Sequence, residues 1–166
     1  MVLPRAVTNA GPLIYLALLN RFSLLQRVIN ELFIPQAVYS EVVLLGAGQP
    51  GANETRETVE QGWLVRSSVQ NRIAVEALLG SLDIGEAEVI ISARENGIQQ
   101  VLLDDRTARS KAKGMGLSVI GTIGILLVAQ EVGVEIDIKR DLDLLIQHNF
   151  RISQDLYDKL TVEQQD

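Results

Sequence analysis

The sequence has no cysteine, a single histidine and a single tryptophan in 166 residues. Without cysteine there is no disulfide, no thiolate zinc site and no cysteine nucleophile. One imidazole excludes sites that need two, such as a zinc-protease helix. The lone His148 has no GxSxG elbow to serve, so it reads as a helix-terminal residue beside Asn149 rather than as a triad base. Aromatic residues make up only 4% of the chain, which argues against an aromatic platform for stacking bases. Long apolar runs are missing too. The longest, residues 119–129, includes Gly121, Thr122 and Gly124 and falls short of the roughly 20 residues a bilayer requires. The N-terminal stretch is broken by Pro4, Asn9, Gly11 and Pro12 and lacks a basic start and a small-residue cleavage site. No membrane association and a cytoplasmic location are therefore expected. Basic residues are outnumbered 15 to 21, for a net charge of -6. That balance opposes non-specific adhesion to nucleic acid unless cations intervene or the basic residues are segregated.

What is present fits one soluble globular domain spanning residues 1–166, with 47% hydrophobic residues. Such a length buries about 70% of the unfolded surface. Short runs rich in valine and isoleucine predict strands at 6–8, 31–34, 63–67, 100–104 and 118–120. Helical spacing predicts helices at 13–19, 23–29, 35–45, 53–61, 73–79, 85–96, 106–113 and 122–132, then 138–147 and 153–160. Ser23, Asn53, Thr122 and Ser153 read as helix starts, and Gly62, Gly80, Gly97 and Gly114 as stops. Alternation of this kind predicts an α/β fold with a central, mostly parallel sheet covered by helices on both faces. GAGQPG, residues 46–51, matches the dinucleotide fingerprint GxGxxG by letter, but a helix precedes it where a strand is required, so it reads as a surface loop. The apolar stripe of 122–132 is either core or a dimer face.

Four polar features stand where an apolar pattern leaves no obvious partner. Glu41 shares a predicted helix stripe with Ala37, Val38, Leu44 and Leu45. Glu86 shares one with Val89, Ile90, Ala93 and Gly97. Neither stripe carries a lysine or arginine, and an isolated carboxylate against a core must pair, protonate or bind a metal. Glu88, with Ser92 and Glu95 on its own face, reads as solvated. In VLLDDRTAR, residues 101–109, a strand ends in two aspartates and a helix opens. One of Asp104 and Asp105 serves as an ordinary N-cap, leaving the other for the crevice. Asn9 stands directly after the first strand. Open parallel sheets bind ligands beyond the carboxyl ends of their strands. Oxygen ligands converging there suit a hard cation, Mg2+ or Mn2+, which activates water and stabilises charge on a phosphodiester during in-line displacement. Arg106, Arg109, Lys111 and Lys113 follow on the next helix, where they can hold flanking phosphates or form a solvated face.

The segments NAGPLIYLALL, IPQAVYSEV, LDIGEAEVIISARENG, VLLDDRTAR and GLSVIGTIGILLVAQEVG, in this order, resemble the PIN-domain family. That family comprises metal-dependent nucleases and includes the toxins of VapC-type toxin–antitoxin pairs. The resemblance covers a core of about 5–133, followed by the C-terminal helices 138–160. It implies a PIN-like three-layer α/β/α sandwich, a Mg2+ or Mn2+ site, RNA as substrate, frequent homodimerisation and, in toxins, an antitoxin protein as partner. By position, the family's acids fall on Asn9, Glu41, Glu86 and the pair Asp104 and Asp105, with Glu88 as a slipped alternative to Glu86. Where the family has its first aspartate this chain has Asn9, which removes one negative charge from the cluster and should lower metal affinity. Two readings follow: an endoribonuclease of PIN type, or a catalytically impaired PIN-like protein that binds RNA or protein.

Overall fold

Five strands, β1 (Leu3–Thr8), β2 (Ile29–Pro35), β3 (Leu64–Ser67), β4 (Gln100–Leu102) and β5 (Ser118–Ile120), pair in parallel throughout in a computed structural model that describes residues 1–162. Their order across the sheet is β3-β2-β1-β4-β5, with Ala6 opposite Leu32 on one side of β1 and Val7 opposite Val101 on the other. Parallel sheets need cover on both faces, which is why Ala6, Val7, Leu32, Ile34, Val101 and Leu102 are all apolar and fully enclosed. The predicted strands agree with these to within a few residues, and the fold is the expected three-layer sandwich.

The central cover is α6 (Ile84–Glu95), which lies along β1, β2 and β4. Every residue from Gly85 to Ala93 is buried, so this helix has no solvated face in its middle. Beside it lie α3 (Gln36–Tyr39), α5 (Arg72–Leu78) and α7 (Arg106–Gly114). In the other layer, α8 (Thr122–Glu131) packs on α1 (Ala10–Leu18) and α2 (Leu24–Val28), with Ile125, Leu126 and Ala129 in the core. Among the described residues no helix is long and apolar enough to cross a membrane.

Several expectations need correction. The helix predicted over 23–29 stops at Val28, and Ile29 begins β2. The one predicted over 35–45 is α-helical only to Tyr39 and continues as a π-helix, Ser40–Leu45. A wider turn changes which side chains point inward: Val42 and Val43 are buried, while Leu44 and Leu45 are 61% and 84% exposed. α4 (Ala52–Glu60) is capped not by Asn53 but by Gly51, at φ 92°, whose N–H donates to Glu54 at 2.9 Å. Gly51 passes so close to α1 that a Cβ there would stand 3.2 Å from the Leu13 carbonyl oxygen. GAGQPG is a loop, as expected. Gly114 belongs to α7, and the left-handed turn falls instead on Gly116, at φ 83°.

The C-terminal helices α9 (Ile138–Gln147) and α10 (Gln154–Val162) join the sandwich through the buried Ile138, Leu142 and Leu145, and two further contacts tie them to α1 and its flank. Arg21, after α1, donates to the buried Asp141 at 2.6 Å, and the Phe150 ring meets Tyr15 of α1 edge-on at 4.9 Å. Removing one partner of a buried pair strands the other's charge. Asp141→Ala is therefore expected to lower stability by about 2–3 kcal/mol in urea titrations. A change within about 0.5 kcal/mol, the usual range of a surface substitution, would show that the pair anchors nothing.

Candidate functional site

The chain runs from β1 outward through β2 to β3, then returns to β4 on the other side of β1 and continues to β5. The order reverses between β1 and β4, so the connections leaving their carboxyl ends diverge and open a crevice. Asn9 and Asp104 follow those two strands. The Asn9 N–H donates to the Leu102 carbonyl at 3.0 Å, and the Leu103 N–H donates to Ile120 at 3.0 Å, which fixes both exits. Asn9 stands at the N-cap of α1 with extended backbone, yet its side chain makes no capping hydrogen bond. Its Oδ1 is buried and has no partner among the described residues. A buried carbonyl oxygen left this way costs about 1–3 kcal/mol, so a ligand for it is the expected remedy.

Asp104 is held by the start of α8. Its Oδ1 accepts from the Thr122 N–H and its Oδ2 from the Thr122 hydroxyl, each at 2.7 Å. Thr122 was expected to cap α8; Gly121 occupies the cap, and the hydroxyl is committed to Asp104. Two glycines make the space: a Cβ on Gly121 would lie 2.6 Å from Asp104 Oδ1, and one on Gly11 would lie 2.8 Å from Oδ2. Burial pushes the Asp104 carboxyl above its ordinary range, while the Thr122 donors and the Arg109 charge pull the other way. Asp105 caps α7, accepting from the Ala108 N–H at 3.0 Å. The paired aspartates thus divide as expected, one capping and one turned inward.

Glu86 closes a capping box with Asp83: the Glu86 N–H donates to Asp83 Oδ1 at 2.8 Å, and the Asp83 N–H donates to Glu86 Oε2 at 3.1 Å. It is only 9% exposed. Burial pushes its carboxyl up to about 7; the Asp83 N–H opposes that shift, and the charges of Asp83, Asp105 and Glu41 add to it. Glu41 is exposed at the surface, not turned into the core as its stripe suggested, and its carboxyl is still raised, by partial burial first and then by Asp83. It makes no hydrogen bond or ion pair with another described residue. Gly85 lies between these groups, and a Cβ there would stand 3.2 Å from Asn9 Oδ1 and 3.4 Å from both Glu41 Oε2 and Asp83 Oδ1. Asn9, Glu41, Asp83, Glu86, Asp104 and Asp105 therefore gather at one end of the sheet.

Glu88 does not join them. Expected to be solvated, it is 4% exposed, accepting from the Ala37 N–H at 3.0 Å and pairing with Arg72 at 2.9 Å. Pro35 has no side-chain donor or acceptor to cap α3, and Glu88 satisfies that helix start instead. The basic residues of α7 also separate. Arg109 turns inward and donates to the Leu103 carbonyl at 2.8 Å. Arg106 and Lys111 flank an exposed groove with Ser81, Thr107 and Ser110, and Lys113 is solvated.

Among the described residues no three of His, Cys, Asp and Glu stand close enough to cage a cation by themselves. The donors that face one another are the Asn9 amide oxygen and the Glu41 carboxylate, across Gly85, while Asp104 at the neighbouring strand exit has both oxygens bonded to Thr122. Such an open set suits Mg2+, which keeps several waters and binds through one or two carboxylates. Against Asn9 and Glu41 lies a cavity of about 600 Å3, walled by α1, the π-helical segment, Gln49, Pro50 and His148. Sequence reasoning missed Asp83, Thr122, Tyr15 and His148 as parts of this region. Only Asp83 carried a local signal, the D-x-x-E spacing of a capping box.

A parallel sandwich that collects carboxylates at the switch point of its sheet, with a basic helix beginning beside them, has the design of a nuclease-type domain. The chain belongs to the PIN-domain family: the family DUF3368, a PIN domain, matches residues 5–165. That membership makes the fold nuclease-type and nucleic acid the class of ligand it suggests. No curated protein matches the sequence.

Two outcomes follow from this geometry. Alanine at Gly85 fills the space between the Asn9 and Glu41 oxygens while removing a glycine from a helix, which by itself gains up to about 1 kcal/mol. Gly85→Ala is expected to weaken Mn2+ binding by about 10-fold or more in calorimetry without loss of thermal stability; unchanged affinity would place the ion elsewhere. Glu86 ordinarily loses its proton near 4.5 but holds it to about 7 in the folded chain. Between those values the folded state binds a proton that the unfolded state has released, so stability falls as pH rises through the window. In metal-free buffer Glu86→Gln, neutral throughout, should gain a few degrees in Tm over the parent between about pH 5 and about pH 8. A difference that stays flat with pH would show that Glu86 holds no such proton.

Proposed function

We propose that residues 1–166 act as a single PIN-type unit, a Mg2+- or Mn2+-dependent endoribonuclease with Glu41, Glu86 and Asp104 as principal ligands and Asn9 and Asp105 assisting. The observation that carries this reading is the buried, partnerless Asn9 Oδ1 facing Glu41 across Gly85 at the sheet's switch point. The ion, when bound, supplies positive charge to the phosphodiester and acidifies the attacking water. The protein's own groups position and desolvate. Thr122 holds Asp104 in one orientation, Gly11 and Gly121 let the backbone pack closely against its carboxylate, and Glu86 exchanges a proton near neutral pH. Arg106, Lys111 and Lys113 are available for flanking phosphates, and Arg109, bonded to the Leu103 carbonyl, lends its charge to Asp104. A toxin role with an antitoxin partner and homodimer formation extend the reading on the family resemblance alone, and a cytoplasmic location on the sequence pattern.

One observation favours the competing reading of an impaired RNA- or protein-binding domain: without an acid at position 9, no three acidic groups cage an ion among the described residues. Substitution separates the two. In the active enzyme, Glu41→Gln or Asp104→Asn lowers Mn2+-dependent RNA cleavage by about 100-fold or more with the Tm little changed, and Asn9→Asp alters cleavage only modestly. A large gain in both metal affinity and cleavage on Asn9→Asp would assign the parent to the impaired class. Cleavage indifferent to Glu41→Gln, or to chelator, would remove the mechanism.

A further inference from the structure

We infer that the cavity beside the acid cluster is a nucleoside pocket, which seats the base and ribose next to the phosphodiester at Asn9 and Glu41, with His148 and Tyr15 as its ring-bearing walls. The inference rests on the nuclease reading and goes beyond it by assigning a site of base selection. Its volume, about 600 Å3, falls within the range of small-molecule pockets and is far larger than a cation needs. Its lining is polar at one end and apolar along the side. Asn9 and Glu41 form the polar end, and Ile14, Leu18 and Val42 the apolar wall. A nucleotide has the same division between its charged phosphate and the faces of its base. The partnerless Asn9 Oδ1, on a residue 9% exposed, marks that polar end as a place where a ligand is owed.

The turn after α9 positions His148. Asn149 adopts φ 67°, a left-handed conformation that asparagine tolerates, and the chain reverses so that the Phe150 N–H donates to the Leu145 carbonyl at 3.0 Å. Phe150 then packs edge-on against Tyr15, which is itself a cavity wall. The C-terminal segment is thereby fixed to α1, with the exposed His148 on the lining of the cavity. Histidine and tyrosine rings both stack on bases, and base stacking on such rings is sequence-tolerant. Selection among bases would come from hydrogen bonds by the His148 imidazole and the Gln49 amide, also on the lining.

Because His148 is the single histidine of the chain, its imidazole resonances report on the pocket without ambiguity. The full chain is titrated with each of the four ribonucleoside 5′-monophosphates, with ribose 5-phosphate and with inorganic phosphate. At least one nucleotide should shift the His148 resonances saturably, whereas ribose 5-phosphate and phosphate should not. His148→Ala should weaken that nucleotide's binding about 10-fold, and His148→Phe, which keeps a ring, should restore most of it. Silence toward all four nucleotides, equal shifts with phosphate alone, or unchanged affinity in His148→Ala would overturn the pocket, the first leaving the cavity for a protein side chain. The nuclease reading fails separately. RNA cleavage abolished by Glu41→Gln with a silent His148 overturns the pocket and keeps the nuclease; a nucleotide-specific His148 response in a chain that cuts no RNA supports the pocket and overturns the nuclease.

Discussion

The hydrogen bond from the Asn9 N–H to the Leu102 carbonyl ends the pairing of β1 with β4, and beyond it the two chains go opposite ways. One enters α1, the other passes Asp104 and Asp105 into α7. That divergence is a consequence of strand order. Parallel strands whose connections reverse direction cannot close the gap between them, and right-handed crossovers leave it at the carboxyl ends. Helix starts then crowd around the gap: α1 at Asn9, α7 at Asp105 and α8 at Gly121. Each brings unsatisfied N–H groups and the positive end of a dipole, which is why a carboxylate as buried as Asp104 can be held there at all.

Electrostatics works against the rest of the cluster. Glu41 and Glu86 approach Asp83 and Asp105 with no lysine or arginine paired to either glutamate, and both carboxyls are raised above their ordinary range by burial and by these neighbours. Like charges confined in this way either take up protons or take up a cation. The local devices only moderate the strain. The Asp83–Glu86 box offers each side chain a backbone donor, Arg109 stands beside Asp104, and the neutral amide at Asn9 spares the site one further negative charge. A neutral residue at that position therefore has two opposed effects, since it lowers repulsion in the ion-free protein and lowers the attraction that an ion feels.

The strands were legible because a fully covered parallel sheet demands short, apolar, β-branched runs, and those runs stand out between polar turns. Asn9, Glu86 and Asp104 were legible for a related reason: each is a polar residue at the end of an apolar pattern. Glu41 was found by an argument that was only half right. Its supposed stripe partners Leu44 and Leu45 are exposed, because the π-helical turn breaks the 3.6-residue phase on which the stripe was built. Glu88 was misjudged because its partners, Ala37 and Arg72, lie 51 and 16 residues away, and no periodicity within one helix encodes them. His148 was set aside because no GxSxG elbow accompanies it and a helix-terminal role sufficed. Scarcity of rings excludes an extended stacking surface, but it says nothing about one imidazole brought to one cavity by a fold.

That last point changes how the C-terminal helices are to be understood. The segments that carry the family resemblance lie within about 5–133 of a single domain, and the matched family covers residues 5–165, a span that takes in α9 and α10. The contacts explain why the longer span is the meaningful one. Arg21 grips α9 just after α1 ends, Phe150 meets Tyr15 within α1, and His148 shares with Asn9, the residue at which α1 begins, the lining of a single cavity. Two of these attachments and the ligand-bearing end thus belong to one nine-residue helix and its flanks. A helix is stiff over such a length, so any rearrangement that tilts α1 to admit a ligand at Asn9 must also strain the Arg21–Asp141 and Tyr15–Phe150 contacts. Anchoring of the C-terminal pair and geometry of the acid cluster are therefore a single mechanical problem, solved at α1.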